Sequence, residues 1–264
     1  MLSPLGESLR RHDPDRFLTL LFAPTELRER LVILYAFNHE LARAREVTSQ
    51  NLLALMRLQW WREVVEGEAK PGELSTPLRT LIREGVFDRA PLLAMIEARE
   101  AEIDGAFPTL EDWRQWLLQG TGSLAVVAGR ALGVTQAGML EGLRLRGAAY
   151  GVAGLLRARF ALAAQGHAPW PADLLEAAGL IPEAAAAHPL DPALMPVLGQ
   201  LRAQGEAWLA EARRLPRPPR SAVAAALPAI LAARDLRQLA LQPVGLRGFG
   251  DRFAVTRAGF LGRA

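Results

Sequence analysis

Cysteine is missing from this 264-residue chain. That excludes a disulfide framework, thiolate metal sites and a cysteine nucleophile, and it fits a reducing compartment. Lysine is nearly missing too: Lys70 is the only one, and the rest of the basic set is arginine. Long apolar runs are also lacking. The charge-free stretch over residues 115–129 is interrupted by Gly120 and Gly122, and it falls short of the ~20 apolar residues a bilayer-spanning helix needs. The opening residues carry no apolar core of a signal peptide. A cytoplasmic protein is expected, with contact at a membrane surface left open.

No Gly-rich phosphate loop and no Gly-x-Ser-x-Gly elbow occurs. The four histidines, His12, His39, His167 and His188, show no zinc-type pairing. The pI of about 10.1 looks extreme, but 31 basic residues face 28 acidic ones for a net charge of +3. The two signs are mixed along the chain, without a basic stripe interleaved with stacking aromatics. A nucleic-acid partner is therefore not expected.

What is present is helical. Alternating Val, Ile and Thr runs are scarce, while Ala, Leu, Arg and Glu dominate. Half the residues are hydrophobic, enough for one large core over a single domain, 1–264. Pro and Gly punctuation divides the chain into about nine to eleven helices. The first begins after Pro24 with Thr25 as N-cap and carries the stripe Leu27, Leu31, Leu34, Leu41, with Asn38 on it. Others are expected over residues 50–66, 75–83, 88–104, 120–132, 172–178, 192–214 and 221–241. Thr109 and Asp112 form a capping box that starts another. Residues 136–164 predict a long central helix with glycines at 147, 151 and 154 along one face. Each costs about 1 kcal/mol relative to alanine, so the row implies close packing or room for a ligand. Trp60 and Trp61 cannot share a direction; they are core, or one core and one rim. Trp113 and Trp116 share a face, which is buried or sits at a membrane interface.

Paired carboxylates four apart on a helix can hold magnesium while the ion's remaining sites hold a diphosphate. The best such pair is Glu100 and Asp104, in surroundings that read as an ordinary solvated helix end.

Several segments, in order, resemble the squalene/phytoene synthase family. They are Asp15-Arg16-Phe17 with Leu21-Phe22-Ala23-Pro24; Leu34-Tyr35-Ala36-Phe37-Asn38-His39-Glu40-Leu41; and, most specific, Arg57-Leu58-Gln59-Trp60-Trp61-Arg62. Gly122-Ser123, the stretch from Gly151 to Arg157, Trp170-Pro171-Ala172-Asp173-Leu174-Leu175 and Leu227-Pro228 follow. The resemblance implies an all-α, isoprenoid-synthase-type helical bundle around a central apolar cavity. Active members join two prenyl diphosphates, using two Asp-x-x-x-Asp motifs on facing helices to hold magnesium. Here Ala42, Arg43 and Glu46 stand at the first motif, and Ala158 and Leu162 at the second. Trp116 and Leu118 stand where the family often places tyrosines. One carboxylate of the main set survives, Glu46, with Arg43 and Arg45 beside it, and arginine repels a cation at any working pH.

The pattern resembles the non-catalytic branch that includes the mitochondrial complex I assembly factors. It implies a pseudoenzyme without a metal cofactor: a scaffold, lipid-binding or membrane-complex assembly protein, peripheral to the inner membrane. The alternative is a prenyltransferase with an atypical magnesium site drawn from Glu46, Glu40, Glu100 and Asp104. A third reading lets Arg43, Arg45, Arg157 and Arg159 bind an isoprenoid phosphate or anionic lipid directly, against simple pairing with nearby acids. Asn38, His39, Arg43, Gly151, Gly154 and Arg157 are the candidate ligand-binding residues, and a membrane-complex subunit is the candidate protein partner.

Overall fold

The computed structural model describes residues 2–46, 51–105, 107–237 and 239–264; the side chains of Arg45, Glu46 and Asp104 lie outside that description, as does residue 50. The described helices are α1 (Pro4–His12), α2 (Pro14–Leu20), α3 (Arg28–Glu46), α4 (Asn51–Glu66), α5 (Ser75–Arg83), α6 (Arg89–Asp104), α7 (Leu110–Leu117) and α8 (Ser123–Ala131). They continue with α9 (Ala137–Ala164), α10 (Ala172–Ala177), α11 (Pro182–Ala187), α12 (Leu194–Arg214), α13 (Val223–Ala226), α14 (Pro228–Asp235) and α15 (Phe249–Leu261). No strand occurs among the described residues; Phe107 and Pro171 form one isolated bridge. The all-α expectation holds.

Helices α1 and α2 precede the first helix expected from the sequence. Their signals are short but physical. Ser3 caps α1 by accepting from the Gly6 amide at 3.1 Å, and Asp13 caps α2 by accepting from Arg16 at 3.0 Å. Each cap is followed by a proline whose missing N–H costs nothing at a helix start. Thr25 does not cap α3. It opens a 3-10 turn, Thr25–Leu27, and α3 begins at Arg28. The apolar stripe expected on α3 is wider than a stripe: residues 31–38 are all buried, as befits a helix enclosed on every side.

The capping box is present in both halves, Thr109 and Asp112 each bonding the other's backbone. The segment expected as a separate helix over residues 120–132 instead continues α7. The join is a π turn, Leu118–Gly122, running straight into α8. At the other end, the helix expected over 221–241 is broken. Pro228, which has no N–H to donate, restarts the chain as α14, and that helix ends at Asp235. Helix α15 is not among the expected elements, because its apolar residues do not form an inward stripe.

Two apolar cores flank the long α9. One gathers α3, α4, α6 and α8, with Phe37, Leu58 and Ile96 fully buried. The other gathers α7, α9 and α12. Trp61 is buried and Trp60 is partly exposed, one core and one rim. Trp113 and Trp116 are both buried, their indole N–H groups donating to the carbonyls of Pro169 at 3.0 Å and Ala98 at 2.9 Å. A C-terminal segment crosses back over the bundle, held by Arg247. That guanidinium reaches Asp235 through two bonds of 2.6 and 2.7 Å and Asp15 of α2 at 2.9 Å. Burial works against its charge, but these carboxylates outweigh burial and raise its pKa.

The glycine row on α9 divides by role. A Cβ on Gly147 would overlap the Thr121 carbonyl and sit 2.7 Å from the Ala125 Cβ; one on Gly151 would sit 2.8 Å from Leu117 Cδ2. These two glycines let α9 lie directly on the π turn. Gly154 faces open space: a methyl group there would meet nothing within 4 Å. Gly147→Ala is expected to destabilise the fold by about 1–3 kcal/mol. Gly154→Ala is expected to stabilise it by up to about 1 kcal/mol through helix propensity alone. Denaturant titration of both variants checks the contrast; equal effects would contradict the division.

Candidate functional site

Beyond the contact of α9 with the π turn, the helices part to leave a cavity of about 260 Å³. Its α9 wall is Gly151, Gly154, Leu155, Ala158 and Leu162, residues three or four apart that fall on one helical face. Facing it are Met95 and Ala98 of α6, Trp116 and Leu117 of α7, and Gly120 and Thr121 of the π turn. Asn38 of α3 enters as a buried amide. A π turn frees backbone from the regular ladder and is often found at functional sites; here it supplies a side of the cavity.

The charged lining is short: Arg16, Arg99 and Glu102. Arg99 and Glu102 are paired at 2.6 Å on adjacent turns of α6. Arg16 is held by Asp13 at 2.6 Å and lies over the rings of Tyr150 at 5.0 Å and Tyr35 at 5.8 Å. Burial acts against the Arg16 charge, but Asp13 and the tyrosines outweigh it, and its pKa rises. Burial pushes Tyr35 up to about 12 against an opposing pull from Arg16, and raises Tyr150 likewise. Tyr150 also donates to Asp15 at 3.3 Å. None of these residues is singled out by the sequence as a site residue. The available signal is compositional: the chain has two tyrosines, and both stand at Arg16.

The residues expected at the site separate. Asn38, Gly151, Gly154, Ala158 and Leu162 come together in the cavity. His39 does not. One position round the helix from Asn38, it opens into a second cleft, lined also by Glu40, Trp60 and Trp61, and it stacks on His12 at 4.9 Å. Arg43 is drawn to Glu40 at 3.0 Å, one turn back. Arg157 points away from the cavity: it bonds the Gly245 carbonyl and lies 3.7 Å from Asp235. Ala42 is partly buried and outside the cavity lining. The side chains of Arg45 and Glu46 lie outside the described residues, as does that of Asp104; its intended partner Glu100 accepts from Arg62 of α4 at 2.7 Å. Arg159 is buried, with its guanidinium against the Phe160 ring at 4.4 Å and no hydrogen-bond partner among the described residues. Burial lowers its pKa.

Magnesium takes near-octahedral oxygen donors, carboxylates above all. The cavity offers alanine and leucine at 158 and 162, and its one carboxylate is already paired to an arginine. No group of three or more His, Cys, Asp or Glu side chains converges among the described residues. The described donors do not fit the ion.

The family model for squalene/phytoene synthase matches residues 9–258 of the chain. NADH dehydrogenase (ubiquinone) complex I assembly factor 6 of Mus musculus is 27% identical over 157 residues, 58% of this chain and 47% of that protein; the Homo sapiens protein is 26% identical over the same length. The chain thus spans about half the length of the curated relatives it matches. In fold, it is similar to a dehydrosqualene synthase crystallised with a ligand, with a TM-score of 0.77 and 12% identity over 97% of this chain and 94% of that one. It is also similar to the squalene synthase HpnC from Alicyclobacillus acidocaldarius, with a TM-score of 0.68 and 19% identity over 98% and 92%.

The paired tyrosines generate a pH prediction. A phenol whose folded pKa is raised stays neutral in the fold while the unfolded chain ionises near its ordinary value of about 10. Its contribution to stability is full below that value and is lost as pH rises through the folded value, about 12 for Tyr35. Tyrosinate absorbance of the native chain should therefore stay flat where the urea-unfolded chain titrates. Coincident curves would contradict the burial of both rings beside Arg16.

Proposed function

The chain belongs to the squalene/phytoene synthase family, and we propose that within it this protein binds an isoprenoid or anionic lipid without transforming it and helps to assemble a membrane complex. The observation that carries the reading is the charge of the cavity: two guanidiniums, one carboxylate, and carbon at the second acidic motif. Condensing two prenyl diphosphates requires neutralising the leaving diphosphate, which metal ions do in this family by the resemblance described above. An alanine and a leucine cannot recruit those ions. Arginine, in contrast, binds phosphate directly through forked hydrogen bonds. On this reading Arg99 and Arg16 hold the anionic end of a ligand, and the glycine and leucine wall of α9 takes the hydrocarbon, with no metal cofactor.

The assembly role is supported by the likeness to complex I assembly factor 6, over the 58% of the chain it covers. No helix among the described residues is long and apolar enough to cross a membrane. On this reading the work on a membrane complex is done from the surface of the bilayer, and the proposed location is the cytoplasm, against the inner membrane.

The alternative is a prenyltransferase with a rebuilt metal site. Its candidate acids are scattered: Glu40 pairs with Arg43 on the second cleft, and Glu100 is bound by Arg62. The pseudoenzyme reading is the better supported.

Calorimetric titration with farnesyl diphosphate tests it. Binding should persist in chelator, and Arg99→Gln should weaken it about tenfold, the loss of roughly one charge-assisted hydrogen bond. No hydrocarbon product should form with magnesium or manganese. Product formation that Glu46→Ala abolishes would establish the alternative; loss of binding in chelator would also overturn the proposal.

A further inference from the structure

Helix α15 carries apolar side chains on two opposite sides. Phe249, Phe253 and Phe260 are 83%, 56% and 68% exposed, and helical geometry sets them within about 40° of one direction. Val255, on the opposite side, is fully buried. That inner side is firmly held. Gly259 lets the Phe22 ring lie on the helix backbone, where a Cβ would come within 2.6 Å of ring atoms. Asp251 is bound by Arg234 at 2.6 Å. The outward rings are thus exposed on a helix anchored by its other face. Phe249 and Phe253 stack at 6.1 Å, and the exposed Leu246 extends the row.

The charge around this row is of one sign. Exposed Arg252 lies on one flank and exposed Arg257 on the other, and exposed Arg263 follows the end of the helix. Across residues 239–264 Asp251 is the only acidic residue, and it is engaged by Arg234. We infer that the outward face of α15 docks on an anionic lipid bilayer, with the phenylalanine rings at the boundary of headgroups and acyl chains. Apolar rings flanked by long cations match a surface that is apolar at depth and negative above it, because arginine extends its charge to the phosphates while its stem stays with the rings. Thr256 is the only neutral hydrogen-bonding side chain between the flanking arginines, so the face holds little that would fix the register of a protein partner. The inference extends the membrane part of the proposed function and is independent of the cavity: either can fail alone.

The full chain is floated with phosphatidylcholine vesicles, with and without phosphatidylglycerol. It should float with the anionic vesicles, and less so as salt rises. Phe249→Ser with Phe253→Ser should weaken binding about tenfold or more, and leave the melting temperature and farnesyl diphosphate binding unchanged. Each of Arg252→Gln, Arg257→Gln and Arg263→Gln should weaken it about fivefold. Phe253→Trp should show a blue-shifted emission when anionic vesicles are added, compared with the native chain. Failure of the native chain to float at low salt, or equal flotation of the double serine variant, would overturn the inference. So would a native dimer in sedimentation that the double variant breaks, since a second copy would then cover the face.

Discussion

The backbone of α9 rests on the π turn at Thr121, and the rest of the site is arranged around that contact. Gly147 and Gly151 permit it by having no side chain. Because two helices come that close at one level, they are free to diverge at the next, and the space from Gly154 to Leu162 opens. A straight α-helix through residues 118–122 would turn Gly120 and Thr121 elsewhere. The cavity is therefore a product of one irregular turn and two missing methyl groups, and it does not depend on the acids that the family elsewhere places on its walls. This is how the architecture can hold with alanine and leucine at 158 and 162: the close contact that shapes the cavity is made by other residues, Gly147 and Gly151.

The charge of the lining bears on what the cavity can hold. In a low-dielectric cleft the sign of the lining decides which ligands enter. Here Arg99 is paired with Glu102, and Arg16 is fixed by Asp13 beside two phenol rings. On the proposed reading, such a corner takes an anion through hydrogen bonds instead of a cation through oxygens.

Much of this architecture can be read in the residues themselves. Leucines at helical spacing, the Thr109–Asp112 box and the prolines around 170 mark elements that the structure contains. The glycines of α9 mark a close approach, and the alanine and leucine at 158 and 162 line the cavity. The failures have local causes. His39 and Arg157 sit next to residues that do line the cavity, and adjacent positions on a helix differ by about 100° in direction; sequence proximity cannot tell which one turns inward. Arg43 is claimed by Glu40, as simple pairing with a nearby acid would have it, and Arg157 by Asp235, a long-range pairing invisible without the fold. Helices α1 and α2 are hidden because they are short, nine and seven residues, and α15 because its apolar face is turned outward.

Arg247 joins Asp15 and Asp235, and Asp15 lies 232 positions before it in the chain. Opening that junction would take from Asp15 and Asp235 their hydrogen-bonded cation, leaving Asp235 with Arg157 at 3.7 Å, so α2 and the segment around Arg247 should come apart together. Amide exchange would then report α2 and the segment around Arg247 as one cooperative unit, though 232 positions separate them. During translation α2 must wait until Arg247 has left the ribosome before its Asp15 is matched, which ties closure of this part of the fold to a residue made 232 positions later.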